Sequence, residues 1–125
     1  MDYDLIIIGS GSAGLPAGMY ASRYKIKNLV IGAQPGGALA TSHKVENYPG
    51  IISASGKEIM DQFKEHAEVS GSEVVQDTVS EIKQIDGGFH IKTTNSEYTT
   101  RFVILASGNT YRKLDVPGEA EFLGK

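Results

Sequence analysis

Six residues near the start of the chain, Gly9-Ser10-Gly11-Ser12-Ala13-Gly14, constrain its fold more than any others. An apolar run, Tyr3 to Ile8 (YDLIII), leads into them and reads as a strand buried on both faces, as in the middle of a parallel sheet. After Ser12 the period changes: Ala13, Ala17, Tyr20, Ala21 and Tyr24 recur at helical spacing, which predicts a helix to about Tyr24. Pro16 fits there because it lies in the first turn, where backbone N–H groups have no intrahelical partner. Strand, glycine turn and helix are the setting that the dinucleotide-binding fingerprint requires. In that setting Gly9 permits the tight turn, Gly11 lets backbone approach a pyrophosphate, and Gly14 lets helix and strand pack closely. The helix start offers free N–H groups and a positive dipole end to the phosphates. A glycine turn with no ligand is the plainer alternative, and the agreement of strand, turn and helix weighs against it.

Asn28 to Ile31 (NLVI) reads as a second strand, and beyond it Gly32 to Ala54 reads as an irregular stretch rich in Gly, Pro, Ser and Asn. A connection that long is usually functional or disordered. Ser55-Gly56-Lys57-Glu58 fits a capping box, which predicts a helix over about Lys57–Ser70 with Gly71 as its stop. Glu73 to Asp77 reads as a short third parallel strand. From Thr78 to Arg101 the period drops to two, with turn signals at Gly87-Gly88 and Asn95-Ser96, so a small antiparallel meander is expected. Arg101 to Ala106 (RFVILA) reads as a further buried strand ending in Ser107-Gly108, and Asn109 to Lys125 as a tail or linker.

Composition excludes several classes. Twelve Lys and Arg against fifteen Asp and Glu give a formal charge of −3, with no basic excess for nucleic acid. No stretch approaches the ~18 apolar residues of a membrane span, and Met1 runs into the first strand with no basic leader, so a cytoplasmic address is expected. With no cysteine, the chain itself has no disulfide, thiolate metal site or cysteine nucleophile. His43, His66 and His90 are scattered and read as surface histidines rather than metal ligands. Tyr20 and Tyr24 read as packing residues with a solvated hydroxyl. The acidic residue that would hold a ribose at the end of the second strand is missing: Ile31-Gly32-Ala33-Gln34-Pro35 leaves that task to Gln34 or backbone.

Taken with Pro35-Gly36-Gly37-Ala38-Leu39, Val45-Glu46-Asn47-Tyr48-Pro49-Gly50, Ala106-Ser107-Gly108 and Pro117-Gly118-Glu119, the Gly9 motif carries a resemblance. In order and spacing, over essentially all 125 residues, the chain resembles the N-terminal FAD-binding segment of bacterial-type thioredoxin reductases and their close flavoprotein relatives. The resemblance implies an α/β, Rossmann-like FAD-binding three-layer fold with a parallel sheet plus a small antiparallel β-meander. Among the cofactor-binding positions it implies, Gly9, Gly11, Ala13 and Gly14 surround the FAD pyrophosphate, with Ser12 among them. Gln34, Gly36 and Gly37, followed by Ala38 and Leu39, match the loop that runs along the cofactor; Ala38 stands where family members usually carry Gln. Asn47 matches an Asn close to the flavin, Val79 would present backbone to the adenine, and Ala106-Ser107-Gly108 matches an Ala-Thr-Gly strand end.

The resemblance also implies what lies outside the chain. Residues 1–125 correspond to the first part of an FAD domain; an NADPH domain carrying a C-x-x-C pair, and a closing FAD segment, would follow. The parent activity implied is an NADPH-dependent thioredoxin-disulfide reductase, a homodimer with a thioredoxin-like protein as partner, and the chain alone would be inactive. No side chain here reads as a catalytic acid, base or nucleophile. Two other readings fit the residues: a cysteine-free relative such as a ferredoxin–NADP reductase of the thioredoxin reductase-like type, and a stand-alone nucleotide-binding module.

Overall fold

A computed structural model describes residues 1–110 and 112–122. Its centre is a single six-stranded sheet. Strands β1 (Tyr3–Ile8), β2 (Asn28–Ile31) and β3 (Glu73–Val75) run parallel, and β4 (Val79–Ile85), β5 (Gly88–Thr93) and β6 (Glu97–Leu105) form the meander. The order across the sheet is β3-β2-β1-β6-β5-β4, so β6 joins the two parts, parallel to β1 and antiparallel to β5. Helices α1 (Gly14–Arg23) and α2 (Gly56–Ser70) connect the parallel strands.

The core divides by sheet face, as the period of two along a strand requires. Leu5, Ile7 and Val30 pack against Leu15 and Ala21 of α1 and Met60 and Ala67 of α2. Ile6, Leu29 and Ile31 point the other way and pack with Ile91 of β5, flanked by Phe89 and Tyr98. Helices, parallel strands and a meander packed on the far face are therefore the three layers that the resemblance implies. Burying both faces of β1 and β2 is what makes their sequences unbroken apolar runs.

The capping box at α2 forms as expected: Ser55 Oγ accepts from Glu58 N–H at 3.2 Å, and the Glu58 carboxylate accepts from Ser55 N–H at 2.7 Å. Gly71 ends the helix with φ 113°, a conformation that favours glycine.

Several expectations need correction. The alternating run and the run Arg101–Ala106 are one strand, β6. Glu97–Thr100 pair with β5 and Thr100–Leu105 with β1, so the change in pattern marks a change of neighbours, not a break. Nor is its second half buried: Phe102 is 66% exposed and Leu105 69%. Phe102 and Ile104 lie opposite Leu5 and Ile7 on the helix-bearing side, and no helix of the described residues covers them there.

Tyr20 and Tyr24 are exposed rather than packed: the buried residues of α1 are Gly14, Leu15, Gly18, Ala21 and Ser22. A Cβ on Gly18 would lie 2.7 Å from Val30 Cγ2, so the helix sits too close to the sheet for a side chain at that position. The stretch Gly32–Ala54 is partly ordered, with a 3₁₀ turn over Gly37–Thr41 and isolated antiparallel bridges Val45↔Ala54 and Tyr48↔Ile51. Within the tail, Glu119–Phe122 forms a short helix, α3, whose Glu119 carboxylate accepts from Leu114 N–H at 2.8 Å.

β3 also ends two residues early, at Val75. Asp77 leaves the strand to accept from Thr78 N–H at 2.7 Å, and from the backbone and side-chain amides of Asn95 at 3.2 and 3.1 Å.

Candidate functional site

The strand order places β1 between β2 and β6, both parallel to it. The chain leaving β1 thus crosses to β2 on one side while the chain leaving β6 emerges on the other, at the same carboxyl end. Open α/β sheets bind ligands at such a switch point. Here it carries a groove of about 380 Å³, walled by the Gly9–Ala13 turn, Gly32–Gln34 after β2, Gly37–Leu39 of the 3₁₀ turn, and Ala106–Thr110 after β6.

The glycines of the turn do different jobs. Gly9 has φ 118°, its N–H donates to Ile31 O at 2.7 Å, and a Cβ there would lie 2.0 Å from Ala106 O. Gly14 is buried behind the groove, where a Cβ would lie 1.7 Å from Gly9 O. Both are required by packing within the chain. Gly11 is not: its Cβ would meet only Gly37 Cα, at 3.8 Å, an ordinary contact. A side chain at Gly11 would instead project into a space that only a ligand needs, as expected where backbone approaches a pyrophosphate.

The start of α1 supports the same fit. Its ladder begins with Leu15 N–H donating to Gly11 O at 3.1 Å, so the amides of Ser12, Ala13 and Gly14 come before the first intrahelical bond. The N-cap residue is Ala13, with no side-chain cap, and no acidic residue lies in the first turn. α2 closes its own N-terminus with Ser55 and Glu58; α1 leaves its end to the groove. Orphan N–H groups and the helix dipole make such an end a site for an anion. Among the described residues, no ionisable side chain lines the groove. The residues present therefore fit the diphosphate of a dinucleotide.

Of the candidate positions, Gly9, Gly11, Ser12, Ala13, Gln34, Gly37, Ala38, Leu39, Ala106, Ser107 and Gly108 all line this groove. Gly14 lies beneath it, and Gly36, at φ 75°, packs against Ala40 and Met60 beside a neighbouring hollow. Asn47 is exposed in the segment between Val45 and Ala54, and Val79 is half-buried at the start of β4; neither lines the groove. The groove also includes Ser10, Gly32, Ala33, Asn109 and Thr110, which sequence reasoning did not single out. Ser10 lies inside the glycine motif, and its hydroxyl donates to Gln34 O at 3.3 Å, tying the two loops together. Asn109 and Thr110 carried no signal apart from following Gly108.

Residues 3–125 match the family described as pyridine nucleotide-disulphide oxidoreductase. The chain belongs to this family. It is 42% identical over 126 residues to a thioredoxin reductase of Treponema pallidum, covering 99% of this chain and 41% of that protein. Identity to a thioredoxin reductase of Bacillus subtilis is also 42%, covering 98% and 39%. Among solved structures, thioredoxin reductase from Lactococcus lactis superposes with a TM-score of 0.88 at 36% identity, covering 96% of this chain and 40% of that one. That from T. acidophilum gives 0.87 at 36% identity, covering 99% and 41%. The chain thus spans about two fifths of the length of these relatives. It shares the mixed α/β fold of these solved relatives. Among the described residues, no helix is long and apolar enough to cross a membrane, and no group of three His, Asp or Glu side chains converges as a metal site.

Proposed function

We propose that residues 1–125 are the FAD-binding portion of a thioredoxin reductase-like flavin oxidoreductase. The carrying observation is the groove at the β1 switch point, where Gly11 is free of packing constraints and the start of α1 is left uncapped. Bound there, FAD would supply two-electron transfer between a nicotinamide and a disulfide. This chain's own residues bind and orient. The amides of Ser12, Ala13 and Gly14 face the diphosphate, and Gly11 and Gly37, whose backbones approach each other, leave room for it. Gln34 and the backbone of Gly32 and Ala33 meet the adenosine side, and Ala106, Ser107 and Gly108 close the wall beyond β6. Asn47 serves the flavin end and Val79 the adenine.

The named relatives support the thioredoxin reductase reading over a cysteine-free relative. By the same reading, NADPH and the reducible cysteine pair belong to the part of the relatives that this chain does not span, with thioredoxin as the electron acceptor. The chain acts in the cytoplasm, self-associates as a homodimer, and does not reduce thioredoxin alone. The test is equilibrium dialysis against FAD, followed by the visible spectrum of the retained chain. Flavin bands in the protein compartment at one FAD per chain are the expected result. A protein compartment no richer in FAD than the buffer overturns the proposal.

A further inference from the structure

The adenosine corner of the groove lacks the feature that normally polices the ribose. In dinucleotide folds an acidic side chain after the second strand bonds the ribose diol and repels a 2′-phosphate. Here the stretch after β2, Gly32-Ala33-Gln34, carries none, and Gly32 has no room for any side chain, since a Cβ there would lie 2.1 Å from Ser10 Oγ. What faces the corner is neutral. Gln34 is exposed at the groove wall, and Gln76, at the end of β3, donates its side-chain amide towards Ala33 O at 3.4 Å.

Next to this corner lies a second hollow of about 60 Å³ that shares Ser10 and Gly32 with the groove. Its polar wall is Gln76, Asp61 and Lys64. Asp61 is paired with Lys57 one helical turn away, whereas Lys64 is held only loosely, with Nζ 3.7 Å from Glu68. Gln34 on the groove wall and Gln76 and Lys64 in the hollow thus put two amides and an ammonium beside this corner, and the carboxylate in the hollow, Asp61, is already paired.

Resting on the nucleotide reading above, we infer that this groove does not discriminate against a phosphorylated ribose: it takes adenosine diphosphate ligands with the 2′-hydroxyl either free or phosphorylated. The 2′-phosphate is held between Gln34 on the groove wall and Gln76 and Lys64 in the adjoining hollow. The groove thus admits the 2′-phosphorylated class of dinucleotides as competitors of its own cofactor.

The test compares ADP-ribose with 2′-phospho-ADP-ribose, which differ only in that phosphate, by calorimetric titration of the 125-residue chain. The expected result is two dissociation constants that agree within about tenfold. Binding of ADP-ribose with the phosphorylated ligand more than tenfold weaker overturns the inference and leaves the nucleotide reading intact. Failure of both ligands removes the reading and the inference with it. Gln34→Glu restores a carboxylate to the corner and is expected to shift the ratio at least about tenfold against the phosphorylated ligand, through like-charge repulsion. An unchanged ratio in that variant also counts against the inference.

Discussion

Gly14 sits so close over the carbonyl of Gly9 that a Cβ there would come within 1.7 Å of the oxygen. The turn and the helix are thus one packed unit, and its glycines should separate by experiment. Gly14→Ala and Gly9→Ala force backbone apart and are expected to unfold the chain or to cost about 3 kcal/mol or more, the range of overpacked or strained sites. Gly11→Ala meets nothing closer than 3.8 Å, so Tm should stay within about 2 °C. Its FAD affinity should still fall at least about tenfold, because the methyl occupies ligand space. Thermal melts with dialysis on all three variants check this; a Gly11→Ala chain that binds FAD normally would contradict the role assigned to that residue.

Asp77 links stability to pH. Its carboxyl is held below the usual range, first by the Thr93 side chain and then by the N–H groups of Thr78, Asn95 and Thr94, with partial burial opposing them. A pKa lower in the folded than in the unfolded state means that stability is fully present above the unfolded value of about 3.9 and is lost as pH falls through the folded value. Tm should therefore drop between about pH 5 and pH 3. Asp2 and Glu58, lowered by Thr99 and Ser55 respectively, add to the same trend. Asp77→Asn keeps the shape and removes the charge, so its Tm at neutral pH should be lower and its decline in acid shallower. Melts across that range decide it, and parallel curves for the two proteins would exclude Asp77 as a contributor.

The elements most legible in the sequence were those whose pattern had a local cause. The glycine turn, the apolar β1 and β2, and the Ser55–Glu58 box each follow from residues within a turn or two of one another. The groove's walls were legible for the same reason, since they are loops with short glycine signatures. What failed depended on distant neighbours. Tyr20 and Tyr24 have helical spacing, but the side that packs is decided by how closely Gly14 lets α1 approach Gly9 and Gly18 lets it approach Val30. β6 changes from alternating to continuous apolar because its partner changes from β5 to β1, which no window of residues reports.

The bare side of β6 leads to a contrast in substitution cost. Phe102 is large but 66% exposed, so Phe102→Ser should change stability by less than about 1 kcal/mol, as for surface sites. Ile91 is fully buried between the sheet and the meander, so Ile91→Ala should cost about 2–5 kcal/mol. An exposed apolar strip also invites association, so Phe102→Ser should lower the concentration dependence of light scattering while Ile91→Ala does not. Denaturant melts that rank the two substitutions the other way would show that β6 is covered in solution.

The uncapped start of α1 sets stability against binding. Ala13 occupies the N-cap and is exposed at the groove, with no acidic residue in the first turn. Ala13→Asp places a carboxylate at the positive end of the helix dipole, a change worth about 0.3–1 kcal/mol. Tm should therefore rise slightly in low salt, and the gain should shrink as salt is added. The same carboxylate stands where a diphosphate must sit, so FAD affinity should fall at least about tenfold. A residue chosen only for stability would be a capping one, Ser, Thr, Asp or Asn, as Ser55 is for α2; alanine leaves the helix end open for an anion. Melts and dialysis on the one variant separate the two effects. If affinity holds while stability rises, the end of α1 is not the phosphate site.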